Sequence, residues 1–374
     1  MKFGILSTCE GYDWAGSEEN WAWFAQAAMA AGHQVMFGGD RQLVRGARVQ
    51  ELKRQGMLVT ERHRINPMRL YLLKEKYRPD MRAMLAFKPD ALFLNAGSPL
   101  DYCQLPYLHQ FINRFTVPKL LLLTFNADIL PFPRRSTVQK FFSTLDGVAC
   151  VSAQNLELLS QQLTGHLPEA RVIRNVSRLS LEEPLPYPGV EDGIRLACVA
   201  RFDTHWKGHD ILLAALAKIS RVQYPWTLRF YGKGPDEDYV RKLAAYYRIE
   251  DRVQFCGWVP RVEDQWRDNH LLVLASRGEG LPLTAMEAMM CGRPCVLTPV
   301  GGNTEIIKQG ENGFLADAAN ETCFRRALLT AFEAKDRWAG MGRSAHAVAR
   351  EAAQQVHPGP ESLKFMEEIV VRAR

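Results

Sequence analysis

Residues 279–287 read Glu279-Gly-Leu-Pro-Leu-Thr-Ala-Met-Glu287 (EGLPLTAME), and they decide the fold. The stretch follows the apolar run HLLVLAS (270–276), which predicts a buried strand, and it opens a helix closed by Gly292. Pro282 fits the first helical position, where its missing N–H costs nothing, and Gly292 fits just past the helix end. Strand, short loop and helix in this order make one step of a parallel α/β sheet. The amides at the helix start then face whatever lies at the carboxyl end of the strand. Glu279 sits in the loop and Glu287 about one and a half turns inside the helix, so the two stand roughly 8–12 Å apart. That spacing, with an anion-binding helix terminus between, suits a long ligand with hydroxyls at both ends and phosphate in the middle. A nucleotide sugar has that shape.

Apolar runs alternate with helical patterns on both sides of this segment. The first half carries KFGILS, HQVMFGG, DALFLNAG, KLLLLTF, GVACVS and ARVIRNV; the second carries IRLACVAR, WTLRFYG, RVQFCGW, HLLVLAS and PCVLTP. Short apolar strands separated by helices predict parallel sheets covered on both faces. A chain of 374 residues exceeds one ordinary core, so two doubly wound, Rossmann-like domains with a cleft between them are expected. The stretch 179–193, LSLEEPLPYPGVEDG, breaks the rhythm with three prolines and reads as the linker. It divides the chain into domains 1–183 and 184–359. The final helix, with Leu363, Met366, Ile369 and Val370 on one face, is expected to pack back on the first domain and to form a hinge with the linker. Closure would bring Gly16 and Asn126 toward Glu279 and dry the site.

Composition is that of a globular protein, 47% hydrophobic and 24% charged. The start, MKFGILSTCEG, lacks the basic lead and cleavage site of a signal peptide, and no run reaches the roughly 18–20 apolar residues that span a bilayer. Eight cysteines are scattered, and the one close pair, Cys291 and Cys295, lacks zinc-site spacing. A cytoplasmic location follows as the expectation.

A second constellation lies in VARFDTHWKG, where Arg201 ends a strand and Lys207 follows six residues later on the same loop. Two cations there would converge on a leaving diphosphate, whose negative charge grows as a glycosidic bond breaks.

With these residues in view, the chain resembles the retaining glycosyltransferases of the GT-B fold, family 4 (glycosyl transferases group 1), which includes sucrose and mannosyl transferases. The likeness runs through AGSEENW, VARFDTHWKG, YGKGPDEDY and EGLPLTAMEAMMCGRPCVLTPVGGNTEIIKQGENGFLA. It implies that Glu279 binds donor-sugar hydroxyls, that Glu287 holds the ribose hydroxyls, and that Arg201 and Lys207 meet the diphosphate. Gly280, Leu281 and Leu283 would serve sugar and phosphate, with Pro282 lacking an N–H to give, and Trp258 and Val259 would lie by the nucleotide base. The implied activity is metal-independent transfer of a hexose, with retention, from a UDP-sugar or, second, a GDP-sugar, with no cofactor besides that donor. The hydroxyl acceptor is a saccharide, a lipid-linked sugar or a small molecule. An epimerase on the same fold and a non-catalytic nucleotide-sugar binder are the rival readings.

The chain departs from the family in two places. The first-domain glycine loop reads Ala15-Gly16, where Gly16 still permits close approach and Ser17 can cap the next helix. A histidine usual after the LLLLTF strand is here Asn126, which can hydrogen-bond a hydroxyl but cannot shuttle a proton. Asp236-Glu237-Asp238 spells an acidic metal-binding triplet but opens a helix, where acidic residues favour the macrodipole. Gly232-Lys233-Gly234 lacks the third glycine of a dinucleotide fingerprint. His205, between the two cations, is weighed as a donor contact. Segment 41–88 holds thirteen Lys or Arg against four acidic residues, either a solvated face or a peripheral membrane contact for anionic headgroups. Nothing resembles a nucleic-acid recognition element.

Overall fold

The computed structural model describes every residue except 11–13, 15, 63–78, 105, 127–134, 166 and 374. It divides into two compact units: Met1–Asn175 with His357–Arg374, and Val176–Val356. Each unit is built on one parallel sheet. The first holds β1 (Lys2–Ser7), β2 (Gln34–Asp40), β3 (Leu58–Arg62), β4 (Ala91–Ala96), β5 (Lys119–Leu123), β6 (Gly147–Cys150) and β7 (Glu169–Val172), in the order β3-β2-β1-β4-β5-β6-β7. The second holds β8 (Ile194–Val199), β9 (Trp226–Tyr231), β10 (Val253–Gly257), β11 (Leu271–Leu274), β12 (Cys295–Leu297) and β13 (Gly313–Leu315), in the order β10-β9-β8-β11-β12-β13. Strand order reverses between β1 and β4, and again between β8 and β11. Doubly wound sheets take their ligands at that switch.

Helices cover both faces of the first sheet, which is why β4 and β5 are buried along their whole length. The helix Glu18–Ala30 lays Trp21, Phe24, Ala25 and Ala28 on it, all fully buried. Trp21 stacks on Phe37 at 4.1 Å and Phe24 on Phe93 at 4.4 Å. Burial of each such ring contributes about 1.5–3 kcal/mol. The last helix, Pro358–Arg372, joins the same core: Leu363, Phe365, Met366, Ile369 and Val370 are all buried in it. Gly147 on β6 makes room for it, since a Cβ there would stand 2.4 Å from Ile369 Cδ1. Arg171 on β7 lies over the Phe365 ring at 4.1 Å and pairs with Glu368.

The proline-rich stretch 179–193 is not a free linker. The units part after Asn175, and the stretch lies in the second unit. The reason is Arg293, a fully buried guanidinium that donates to the Leu185, Pro186, Trp266, Cys291 and Gly292 carbonyls. Tyr187 adds a hydrogen bond to the His270 carbonyl at 2.8 Å. Prolines cannot donate to a sheet, so the chain offers its carbonyls to one buried cation instead.

The helix after β11 spans Leu283–Met290, with Pro282 one position before it as the N-cap at φ −71° and ψ 114°. Pro282 is therefore not the first helical residue; its ψ is extended, and its carbonyl starts the helix by accepting from Ala285 N at 3.0 Å. Past the other end, Gly292 N–H bonds Met289 O and Arg293 N–H bonds Ala288 O, both at 2.8 Å. Ser17 also differs from expectation. It precedes the helix Glu18–Ala30 in a helical conformation, makes no capping bond, and donates to Glu18 Oε1 at 3.3 Å.

Candidate active site

The second sheet brings the loop after β8 and the loop after β11 side by side, because β8 and β11 are neighbours. Gly208 closes the approach. It is left-handed at φ 62°, and a Cβ on it would lie 1.9 Å from the Ala275 carbonyl oxygen. Gly301, after β12, does the same from the other side: φ is 56°, and a Cβ would lie 2.2 Å from Glu279 O. Only glycine adopts both the conformation and the contact.

Within these loops Lys207 and Glu279 meet. Lys207 Nζ donates to Glu279 Oε1 at 2.7 Å and to Oε2 at 2.9 Å, and Ser276 Oγ donates to Oε1 at 2.7 Å. Glu279 is 4% exposed, so its charge needs these partners. Lys207 ends the short helix Thr204–Lys207, whose first N–H is held by Asp236 Oδ2 at 2.7 Å. Arg201 stands at the same sheet edge with its guanidinium on Asp203. Glu287 lies half-buried in the helix Leu283–Met290 and accepts from Ser177 Oγ at 3.1 Å. Gly280 and Leu281 are buried in the loop and Leu283 opens the helix. Trp258, after β10, is 67% exposed, and Val259 beside it is half-buried.

The acidic triplet is absorbed locally. Asp236 caps the neighbouring helix, Glu237 pairs with Arg241 and Asp238 with Lys242. His205 is exposed and packs edge-on against Trp206 at 4.4 Å. Sequence reasoning missed Ser276, Asp203, Asp210 and Arg277. Asp203 and Ser276 lie in stretches it had singled out and Asp210 and Arg277 within two residues of them, but which polar side chain pairs with which depends on the fold.

In the first unit, Gly16 lies exposed in the turn before the helix Glu18–Ala30, and its carbonyl accepts from Glu19 N at 3.4 Å. Asn126 is buried, with its Nδ2 on Gln162 Oε1 at 3.0 Å and on Asn155 O at 3.5 Å. The switch point here is occupied by Glu18. This fully buried carboxyl accepts from Ser7 Oγ (3.1 Å), Asn95 Nδ2 (2.9 Å) and Trp21 Nε1 (2.6 Å). Burial pushes it up to about 7, against the pull of the Trp21, Ser7 and Ser17 hydrogen bonds and of the Arg62 charge. Of the basic stretch, Arg41 and Arg45 pair with Glu61, Arg48 with Glu51, and Arg62 with Glu10. Residues 63–78 of the segment, with Arg64, Arg69, Lys74, Lys76 and Arg78, lie outside the described residues.

Two parallel Rossmann-like sheets of this order define the GT-B fold of glycosyltransferases. The chain is similar over 98% of its length to Anabaena HepE in complex with UDP, covering all of that chain at TM-score 0.74 and 18% identity. It is similar over its whole length to sucrose-phosphate synthase from Thermosynechococcus elongatus, covering 98% of that chain at TM-score 0.73 and 18% identity. At such identities these likenesses establish the fold. Residues 193–334, most of the second unit, match the family described as glycosyl transferases group 1. Together, family match and fold support a group 1 glycosyltransferase. The N-acetyl-alpha-D-glucosaminyl L-malate synthase of Bacillus anthracis is 35% identical over 30% of this chain and 29% of that protein. The lipopolysaccharide core biosynthesis glycosyltransferase LpsE of Rhizobium meliloti is 29% identical over 50% of this chain and 54% of its own length. The chain thus spans from about a third to about half of the length of these curated relatives. Among the described residues no helix is long and apolar enough to cross a membrane.

Proposed function

We propose that the protein moves a hexose from a nucleotide-diphosphate sugar to a hydroxyl acceptor, with retention of configuration and without a metal ion. The observation that carries this is the Lys207–Glu279 pair, set on adjoining loops at the switch point of the sheet that matches the glycosyltransferase family. Lys207 and Arg201 would meet the diphosphate, each leaving a carboxylate to do so, and Glu279 would turn to the donor-sugar hydroxyls. Glu287 would hold the ribose, with Gly280, Leu281 and Leu283 along the sugar and phosphate and Trp258 and Val259 near the base. In a same-face mechanism the leaving phosphate oxygen accepts the acceptor's proton, so Asn126 need only bind a hydroxyl. Gly16 would serve close approach in the first unit. UDP is the first choice of nucleotide and is the ligand in the HepE complex; GDP is second.

Incubation with radiolabelled UDP- and GDP-sugars, with and without EDTA, tests the reading. Transfer that survives EDTA and gives a product of unchanged anomeric configuration is expected. Activity abolished by chelation would sink the metal-independent mechanism, and an inverted product would sink retention. Donor altered without any acceptor would point to an epimerase, and nucleotide binding without turnover to a binder.

A further inference from the structure

The Lys207–Glu279 contact joins two loops that are far apart in sequence. Glu279 is buried and Lys207 mostly so, but a lysine reaches its partner on a flexible four-carbon stem, and the pair keeps its geometry only if the two loops are held together. Arg277 is the residue placed to do so. Its guanidinium meets Asp210 in a two-pronged bond, Nη1 to Oδ1 at 2.9 Å and Nη2 to Oδ2 at 2.6 Å. Nη1 also donates to Thr204 O at 3.1 Å, and the Arg277 backbone N–H donates to Trp206 O at 2.8 Å. Residues 204, 206 and 210 flank Lys207 on both sides, while Arg277 itself lies next to Ser276 and two residues before Glu279.

We infer that Arg277 is a positioning residue: with Asp210 it braces the loop after β8 against the loop after β11 and so keeps the Lys207 ammonium on Glu279. This rests on reading the site as the donor pocket, and it adds residues that the donor-pocket reading does not use. The planar fork of arginine suits the task, because a two-pronged bond to a carboxylate fixes direction as well as distance. The partner carboxyl responds accordingly. Burial pushes Asp210 up, but the Arg277 hydrogen bond and charge outweigh it and hold the group below its usual range. Asp210 opens the helix His209–Ala217 and is thereby fixed to the second unit's framework.

The brace is tested on the intact protein by acylating lysines and quantifying Lys207 by mass spectrometry, with exposed Lys242 as the internal reference. Loosening the pair frees the ammonium from Glu279 and exposes it to the reagent, so Arg277→Met and Asp210→Asn should each raise the Lys207 rate about 3-fold to 10-fold. Arg277→Lys, which cannot form the fork, should fall between. The exchanged pair, Arg277→Asp with Asp210→Arg, should return the rate toward that of the parent. Asp210→Asn carries the same test should Arg277→Met fail to fold. A Lys207 rate unchanged in the folded variants overturns the brace. A parallel arm adds UDP and, separately, GDP to the parent protein. Protection of Lys207 by either supports the donor-pocket reading, and protection by neither counts against that reading without altering the ligand-free result.

Discussion

The two sheets share a topology, and each places one buried glutamate at its switch point, yet the two carboxyls are treated in opposite ways. Glu279 in the second unit has a cation on it, Lys207, held at 2.7 and 2.9 Å. Glu18 in the first unit is surrounded by neutral donors from Ser7, Asn95 and Trp21, while the nearby Arg62 spends its hydrogen bond on the Ser7 carbonyl at 2.7 Å. A carboxylate bonded to a lysine holds an ion pair for which an incoming charged ligand would compete. A carboxyl that takes up a proton near neutrality is a structural fastening, tying the ends of β1 and β4 to the helix Glu18–Ala30. Position in the fold is therefore not enough to name a reactive site; the partners decide.

The largest expected effect tests the charged half of this contrast. Lys207→Ala should lower turnover with a donor sugar by about 100-fold to 1000-fold, as loss of one preorganised cation at a developing charge does. Nucleotide affinity should fall much less, because the charge it meets grows in the transition state. Steady-state kinetics beside calorimetry with UDP separates the two. An affinity loss as large as the rate loss would make Lys207 a simple binding group.

The proton-bearing half predicts a slope of stability with pH. Glu18 is raised from 4.5 to about 7 in the folded protein, so the fold binds its proton more tightly than the unfolded chain does. Its contribution is present below about pH 4.5 and is lost as pH rises through about 7, by roughly 2–4 kcal/mol. Urea titrations should show the stability of the parent falling relative to Glu18→Gln across that window. Parallel curves would place the carboxyl's titration elsewhere.

The second unit should lean the other way. Burial drives His209 and His270 down to about 4. Because the unfolded histidines still titrate near 6.5, their contribution is whole above that pH and is lost as pH falls toward 4. His209 is packed against Phe202 and Phe230, and among the described residues neither ring nitrogen has a hydrogen-bond partner. His209→Phe should thus be neutral or stabilising at pH 7 and should remove part of the acid-side loss. A variant less stable than the parent at pH 7 would reveal a polar role for the ring.

Glu287→Ala carries a smaller effect, confined to ligand. On the proposed ribose role, loss of this carboxylate should weaken UDP by about 1.5–3 kcal/mol while Glu279→Ala leaves UDP affinity nearly intact and depresses turnover. Equal affinity loss in both variants would erase the division of roles.

Most of the architecture is legible in the sequence because the strands of covered parallel sheets carry short runs rich in apolar residues, unbroken where both faces are buried, as in β5. Eleven strands fall on such runs. The two that do not are β3, Leu58–Arg62, an edge strand whose side chains are mostly half-buried, and β13, Gly313–Leu315, only three residues long. The candidate loops are legible too, since Gly208, Gly301 and the Pro282 turn punctuate them. What the sequence withholds is pairing. Nothing in AGSEENW reveals that Glu18 is sealed among Ser7, Asn95 and Trp21, or in SRGEG that Arg277 reaches Asp210. Nor do three prolines near 184–188 announce that Arg293 gathers the Leu185 and Pro186 carbonyls.

The smallest expected effect concerns the first unit's cations. Arg41 and Arg45 both approach Glu61, at 3.8 and 3.5 Å, and their side chains are 53% and 59% exposed. Pairs that open to solvent are worth about 0–1 kcal/mol, so Arg41→Gln or Arg45→Gln should shift unfolding by less than that, and each should depend on salt. Arg48 and Arg62 are buried, at 8% and 3% exposure, and their removal should cost several times more. If the basic segment instead serves an anionic membrane surface, the ranking reverses in a different assay. Co-sedimentation with phosphatidylserine vesicles would then suffer from Arg41→Gln and Arg45→Gln, whose heads reach solvent, and not from the inward-turned Arg62. Binding that is absent from the parent, or indifferent to both exposed arginines, would leave this end of the first unit with charges that serve only its own fold, as Glu18 does at the switch point.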